Sequence, residues 1–165
     1  METIQLKCKD DGKIPNSELP LLVYKSVFSV EKADSDFITK HFQARNWSNS
    51  WQNGVYGYHH YHSNTHEVLG IYSGFGTIQF GGENGEKISV EEGDVVIIPA
   101  GVGHKKIEAS DDFRVVGAYP GGMDFDIMKG EAGERPQVDE NIKKVPFPDN
   151  DPVYGKTGGL FSLWI

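Results

Sequence analysis

From residue 55 to residue 120 the chain is divided into short apolar stretches, each closed by turn residues, and this division constrains the fold more than any other feature. The pattern predicts strands near 55–62, 66–72, 76–81, 86–90, 94–98, 104–109 and 113–119. They are separated by Ser63-Asn64, Ser73-Gly74, Glu83-Asn84-Gly85, Glu92-Gly93-Asp94 and Ser110-Asp111-Asp112. Asn-Gly between strand-like segments is a strong short-range hairpin signal. Many short strands at regular spacing fold as an antiparallel sandwich or barrel, of which the jelly roll is one solution. Val95-Val96-Ile97-Ile98 does not alternate, so this strand is expected to be covered on both faces.

The flanks read differently. Residues 1–18 are polar, with turn signals at Asp10-Asp11-Gly12 and Ile14-Pro15-Asn16, and Leu21–Tyr24 reads as a short strand. Residues 34–45 form the one clear helical pattern: Phe37, Ile38, His41 and Phe42 recur at helical spacing, and Asp34 or Ser35 can cap the start. The stretch from Asn46 to Gly54 breaks it. Residues 121–165 are rich in Gly, Pro and acids, and are expected to form an arm ending in the strand-like Leu160–Ile165.

A chain of 165 residues suits one domain over 1–165, with a core at about 54–120, an N-terminal strand and helix over 20–46 and the C-terminal arm over 121–165. The net charge of −8, with no basic run beyond Lys105-Lys106 and Lys143-Lys144, argues against nucleic acid as a partner. The single Cys8 cannot form an intrachain disulfide and reads as an ordinary thiol, which points to a reducing cytoplasm. No stretch has signal-peptide or transmembrane character, so no membrane association is expected.

The chemistry concentrates in His60-Tyr61-His62 and His66-Glu67, answered by Pro99-Ala100-Gly101 and His104. Successive strand side chains point to opposite faces, so His60 and His62 share a face that His59 and Tyr61 do not. After the turn at Ser63–Thr65, an antiparallel neighbour brings the Glu67 carboxylate close, and His104 supplies a third imidazole. Three imidazoles and one carboxylate suit one divalent transition metal per chain: Fe, Mn, Ni, Zn or Cu. An octahedral site would keep two positions for water, oxygen or a chelating ligand.

The residues read Gly54-x5-His60-x-His62-x4-Glu67-x6-Gly74, then Gly93-x5-Pro99-x-Gly101-x2-His104. In order and spacing these resemble the two motifs of the cupin superfamily, across roughly residues 54–120. The resemblance implies a jelly-roll-like double-stranded β-helix barrel with the metal inside, held by His60, His62, Glu67 and His104. It also implies a homodimer paired through sheet edges, with Trp164 as a further contributor. One position departs from the pattern: the second motif often ends in Asn four residues after its His, and here that residue is Glu108. A closer likeness, carried by Pro20–Tyr24, Asn46-Trp47, His59–Ser63, Ala118–Pro120 and Asp151–Val153, is to small single-domain bacterial cupins of the YjlB-like type.

The remaining histidines take lesser roles in this reading. Strand alternation puts His66 opposite Glu67, which makes it structural or a hydrogen-bonding support for the site rather than the ligand in place of Glu67. His59 is expected to pack or lie at an interface, and His41 to be partly buried on the helix. Tyr56 and Tyr58 would share the inward face with His60 and His62, Tyr56 as core and Tyr58 near enough to touch a substrate. Ile71, Phe75, Gln79, Phe113, Val115 and Tyr119 are expected core. Asp124, Asp126 and Arg135 are expected in a solvated loop of the arm.

The expectation is therefore an all-β single-domain cupin with one short N-terminal helix and a C-terminal arm, holding a metal. It would be a metal-dependent enzyme, of isomerase or dioxygenase type, acting on a small polar metabolite such as a sugar or a carboxylic acid. Tyr58 and Lys106 are the candidate catalytic residues. The alternative is a binding module that holds a sugar or organic acid without turning it over. A storage protein with a structural metal fits less well with a site that keeps open positions.

Overall fold

The computed structural model describes residues 2–164. The strands are β1 (Thr3–Cys8), β2 (Ser17–Tyr24), β3 (Trp47–Asn53), β4 (Glu67–Ser73), β5 (Phe75–Phe80), β6 (Glu86–Glu91), β7 (Val95–Ile98), β8 (His104–Ala109) and β9 (Arg114–Pro120). The helices are α1 (Ser35–Gln43), α2 (Gln137–Lys144) and α3 (Gly159–Leu163). All the strand pairings are antiparallel, in a six-stranded sheet of order β1-β2-β7-β4-β9-β3 and a three-stranded sheet of order β6-β5-β8.

Strand alternation divides the core in two. Leu21, Val23, Leu69, Ile71, Val96, Ile98 and Val115 of the large sheet join Ile78, Phe80, Ile88 and Val90 of the small sheet in one cluster. The alternate residues Leu22, Tyr24, Val68, Val95, Ile97, Val116 and Ala118 pack on the other face, against Ile38 and Phe42 of α1 and Leu160 of α3. Both faces of β7 are therefore covered, as its unbroken apolar run predicts. Asp34 caps α1, its side chain accepting the Phe37 N–H.

Several expectations are corrected. The polar N-terminus contains β1, whose Ile4, Leu6 and Cys8 pack on the inner cluster while Thr3, Gln5 and Lys7 face solvent. Burial pushes the Cys8 thiol up to about 11, which keeps it protonated. Trp47–Asn53 is a polar edge strand paired with β9, where a simple helix-breaking segment was expected. Residues 55–59 carry no ladder: Tyr56 and Tyr58 lie in an irregular approach to the single bridge His60↔His104, so Tyr56 is 51% exposed and not core. Phe75 begins β5 at the sheet's end and is also exposed.

The C-terminal run expected as a strand is α3, because Leu160 and Trp164 fall one helical turn apart and both bury; Ile165 lies outside the described residues. A short apolar run cannot be assigned by periodicity alone. Trp164, expected at a dimer contact, is instead buried within the chain, its indole N–H donating to the Pro20 carbonyl at 2.7 Å. The arm also contains α2. No described helix is long and apolar enough to cross a membrane.

Candidate metal centre

The segment His60–His62 runs extended between two neighbours. His60 exchanges both backbone hydrogen bonds with His104, at 3.2 and 2.9 Å, and Tyr61 does the same with Met128, at 2.9 Å each. His60 and His62 consequently turn to one side. Tyr61 turns to the other, into a small cluster with Ile14 and Val138, its hydroxyl donating to Glu134 at 2.5 Å. The turn after β7 delivers His104. Its Gly101 donates N–H to the His62 carbonyl at 2.8 Å, and its φ of 95° places the Cα where any side chain would strike the Asn16 carbonyl.

His60, His62 and His104 are all buried and bring one ring nitrogen each within 4.8 Å of one another, a group that could hold a metal ion. Glu67, the first residue of β4, adjoins them: its Oε1 lies 3.3 Å from both His62 Nε2 and His104 Nε2.

The three rings share one anchoring device. His60 Nδ1 meets the Tyr58 carbonyl at 3.0 Å, His62 Nδ1 the Asp126 carbonyl at 2.6 Å, and His104 Nδ1 the Val102 carbonyl at 3.1 Å. A backbone carbonyl can only accept, so each Nδ1 carries the proton and donates. In the neutral ring this leaves Nε2 as the lone-pair atom, the tautomer a metal ligand needs.

The environment of Glu67 is equally specified. Tyr119, buried on β9, donates its O–H to Glu67 Oε2 at 2.7 Å and accepts the Trp51 indole N–H at 2.6 Å. Trp51 reaches this position by lying flat over Gly117, where a Cβ would come within 2.2 Å of the indole. Tyr119 was legible as an inward residue of its strand. Trp51 was not, because the polar segment around it gave no strand signal.

Charge follows this geometry. Burial raises the Glu67 carboxyl, but His62 and His104 more than offset it and hold it well below the usual range. Burial would lower His62, yet the charge and hydrogen bond of Glu67, with help from Asp126, raise it overall. Burial first, and His104 next, push His60 down to about 3, so it is neutral at pH 7. Burial and then Glu67 push the Tyr119 phenol far up, so it stays a donor.

Residues 123–128 strap this side of the site. Asp126 accepts from the Ser63 N–H at 2.7 Å and from the Ser63 hydroxyl, while its own carbonyl holds His62. Phe125 stacks on Tyr119 at 4.8 Å and meets the His62 ring edge at 5.2 Å. Asp126 is therefore part of the site's frame, where a free solvated loop was expected. Arg135 pairs with Asp10 and Asp139, away from the histidines.

The remaining sequence candidates separate. Lys106 lines the same cavity as the four clustered residues, a space of about 730 Å³ walled by Trp51, Tyr56 and Phe125. Tyr58 contributes its backbone carbonyl; its ring stacks on Tyr56 at 5.0 Å and lies under the Lys129 ammonium. His66 is buried elsewhere, accepting the Ala100 N–H at Nδ1 over 2.8 Å and packing on Trp164. It supports the turn after β7. His59 lies outside the group, its Nδ1 buried without a hydrogen-bond partner among the described residues.

Comparison with known proteins agrees with this architecture. The model of the cupin domain matches residues 50–116. The chain is 47% identical over 157 residues to the uncharacterised protein YjlB of Bacillus subtilis (strain 168), covering 94% of this chain and 93% of that one. Among solved structures, it resembles an acireductone dioxygenase from Bacillus anthracis with a cadmium ion in its active centre, at 18% identity and a TM-score of 0.42, covering 66% of this chain and 78% of that one. It also resembles a TDP-quinovose 3,4-ketoisomerase from Campylobacter jejuni, at 17% identity and a TM-score of 0.43, covering 59% and 75%. Likenesses of this degree carry no chemistry to this chain. The chain belongs to the cupin family.

Proposed function

We propose that this cupin binds one divalent transition metal through His60, His62, Glu67 and His104 and acts on a small polar metabolite in the adjoining cavity. One observation carries the reading. Three buried imidazoles are each tied at Nδ1 to a backbone carbonyl, and their remaining nitrogens gather beside a single carboxylate. Gathering this many donors in one buried place is costly, and a metal that accepts the remaining lone pairs would relieve that cost. The donor set suits Fe, Mn, Ni, Zn or Cu. Such an ion, when bound, polarises an oxygen-bearing ligand as a Lewis acid. The chain's own residues orient the donors: the three carbonyls fix the rings, Tyr119 fixes Glu67, and Phe125 lines the cavity beside them. We read the two facing sheets as a closed jelly-roll barrel and the activity as isomerase- or dioxygenase-type.

Metal content of the purified protein tests the reading. Near-stoichiometric metal in the wild type, lost in His62→Ala with the fold retained by circular dichroism, is the expected result. No metal after reconstitution with Fe, Mn, Ni and Zn refutes it. Incubation with a metabolite mixture, with and without oxygen, then separates turnover from binding: metal-dependent loss of a compound marks an enzyme, and thermal stabilisation by an unchanged compound marks a binding protein. The homodimer and cytoplasmic setting belong to the same reading, and light scattering on a sizing column checks the dimer.

A further inference from the structure

We infer that the cavity takes a small organic acid, one of whose carboxylates pairs with Lys106 while its other oxygens face the histidine group. This rests on the metal reading above and adds the class of ligand to it.

Lys106 stands two residues after His104 on β8, so strand alternation puts both on one face, and both line the cavity. Its backbone is fixed, the Lys106 N–H donating to the Tyr56 carbonyl at 2.9 Å. The side chain is partly buried, and among the described residues its ammonium makes no ion pair or hydrogen bond. A lysine that lines a cavity beside the histidine group, with no carboxylate among the described residues to hold it, is placed to receive the carboxylate of a ligand.

The charges around it sharpen the choice. The acidic and basic side chains lining the cavity, apart from the histidines and the two tyrosines, are Glu67, Lys106, Asp111 and Arg114. Glu67 is fully committed to His62, His104 and Tyr119. Asp111 and Arg114 stand exposed at the rim and balance each other, and Arg114 Nη1 donates to the Phe113 carbonyl at 2.7 Å. With a divalent metal against Glu67 and Lys106 added, the interior carries a surplus of about two positive charges. Set within a chain of net charge −8, such a pocket draws in small anions and not neutral sugars.

The lining also separates carboxylate from phosphate. Phosphate sites are built from several backbone N–H groups at a helix N-terminus or from a forked guanidinium. Strands and loops line this cavity, no residue of α1, α2 or α3 among them; its one guanidinium, Arg114, is exposed at the rim with Nη1 donating to the Phe113 carbonyl, and Lys106 is the one ammonium on the lining. A single ammonium suits one carboxylate, whose acid carries further oxygens for the metal.

Calorimetric titration of cobalt-loaded protein tests this, with malate, malonate, erythritol and erythrose 4-phosphate as probes. The expected result is that at least one dicarboxylate binds tighter than 1 mM and at least tenfold tighter than erythritol and the phosphate. Lys106→Met should weaken that dicarboxylate tenfold or more, Lys106→Arg should stay within threefold, and cobalt affinity should be unchanged in both. The inference is overturned if neither dicarboxylate binds, if erythritol or the phosphate matches them, or if Lys106→Met changes dicarboxylate affinity less than twofold. A wild type that takes up neither cobalt nor Fe, Mn, Ni or Zn refutes the metal reading instead. In that case the same titrations on metal-free protein still read the Lys106 dependence, and its absence there overturns the anion inference as well.

Discussion

Tyr119→Phe removes one oxygen from the most enclosed part of the site, and its consequences can be worked out from the contacts it makes. The phenol donates to Glu67 Oε2 at 2.7 Å and accepts from Trp51 at 2.6 Å. Tyr119 is fully buried, so no solvent replaces the lost donor. A hydrogen bond to a charged group is worth about 1.5–3 kcal/mol. The Trp51 indole borders the cavity and can turn to water, so its loss adds only about 0–1 kcal/mol. The ring and its stacking on Phe125 are retained. The expected cost to the metal-free protein is therefore about 1.5–4 kcal/mol at pH 7, where Glu67 is ionised.

Urea unfolding measures this cost, provided the slope of the transition is unchanged. Repeating the substitution in a Glu67→Gln background isolates the Tyr119–Glu67 pair, since a neutral amide oxygen draws less from the same donor; a coupling of about 1–2 kcal/mol is expected. On the proposed ligand set the same substitution should weaken cobalt binding about tenfold to a hundredfold, because Tyr119 fixes the carboxylate that would face a bound metal. A cost below about 0.5 kcal/mol with unchanged cobalt affinity would refute the view that Glu67 is held by this chain of donors.

Two further outcomes are expected. Burial pushes His66 down to about 4, below its unfolded value, so the unfolded chain binds the extra proton. The stability this neutral ring provides is complete above about pH 6.5 and is lost as pH falls towards 4, by on the order of 3 kcal/mol; urea unfolding of the wild type at pH 7 and pH 4.5, beside His66→Asn, should show the variant with the flatter dependence. Asp126→Ala releases Ser63 and with it the strap that carries the carbonyl acceptor of His62, so cobalt affinity measured by calorimetry should fall about tenfold, while Asp126→Asn, which can still accept the Ser63 N–H, should lose less.

The parts of the fold that were legible in the sequence are those where one side-chain period dominates. β4 to β9 fall close to their expected positions because each alternates or runs apolar between clear turns. α1 was legible from its apolar spacing and its Asp34 cap. β1 and β3 were not, for a common reason: each is an edge strand with a polar outer face, and half of its pattern looks like loop. In β1 the alternation of Ile4, Leu6 and Cys8 was present but diluted by charged neighbours. In β3 the register shift between Ser48 and Trp51 breaks the period outright. At α3 the apolar run fits either period, and tertiary packing of Leu160 and Trp164 decides it.

The candidate site divides along a different line. The histidines were legible because the spacing of His60 and His62 has a direct geometric meaning on an extended segment, and the structure does bring their ring nitrogens together with that of His104. What orients those rings was hidden, because the acceptors are the backbone carbonyls of Tyr58, Val102 and Asp126. Every residue type offers a carbonyl, so such partners leave no trace in composition or motif. They arise where the chain passes, and two of the three lie two residues before the ring they hold. The third comes from the arm, more than sixty residues further along, and it reaches His62 only because Asp126 is itself pinned to Ser63 beside that histidine. The histidines and the acid are thus written in the motif, whereas the tautomer that leaves His62 Nε2 as the lone-pair atom depends on a segment outside it. A match to the motif alone can therefore identify a cupin without showing how its histidines are oriented, and here the strap over residues 123–128 supplies that orientation for His62.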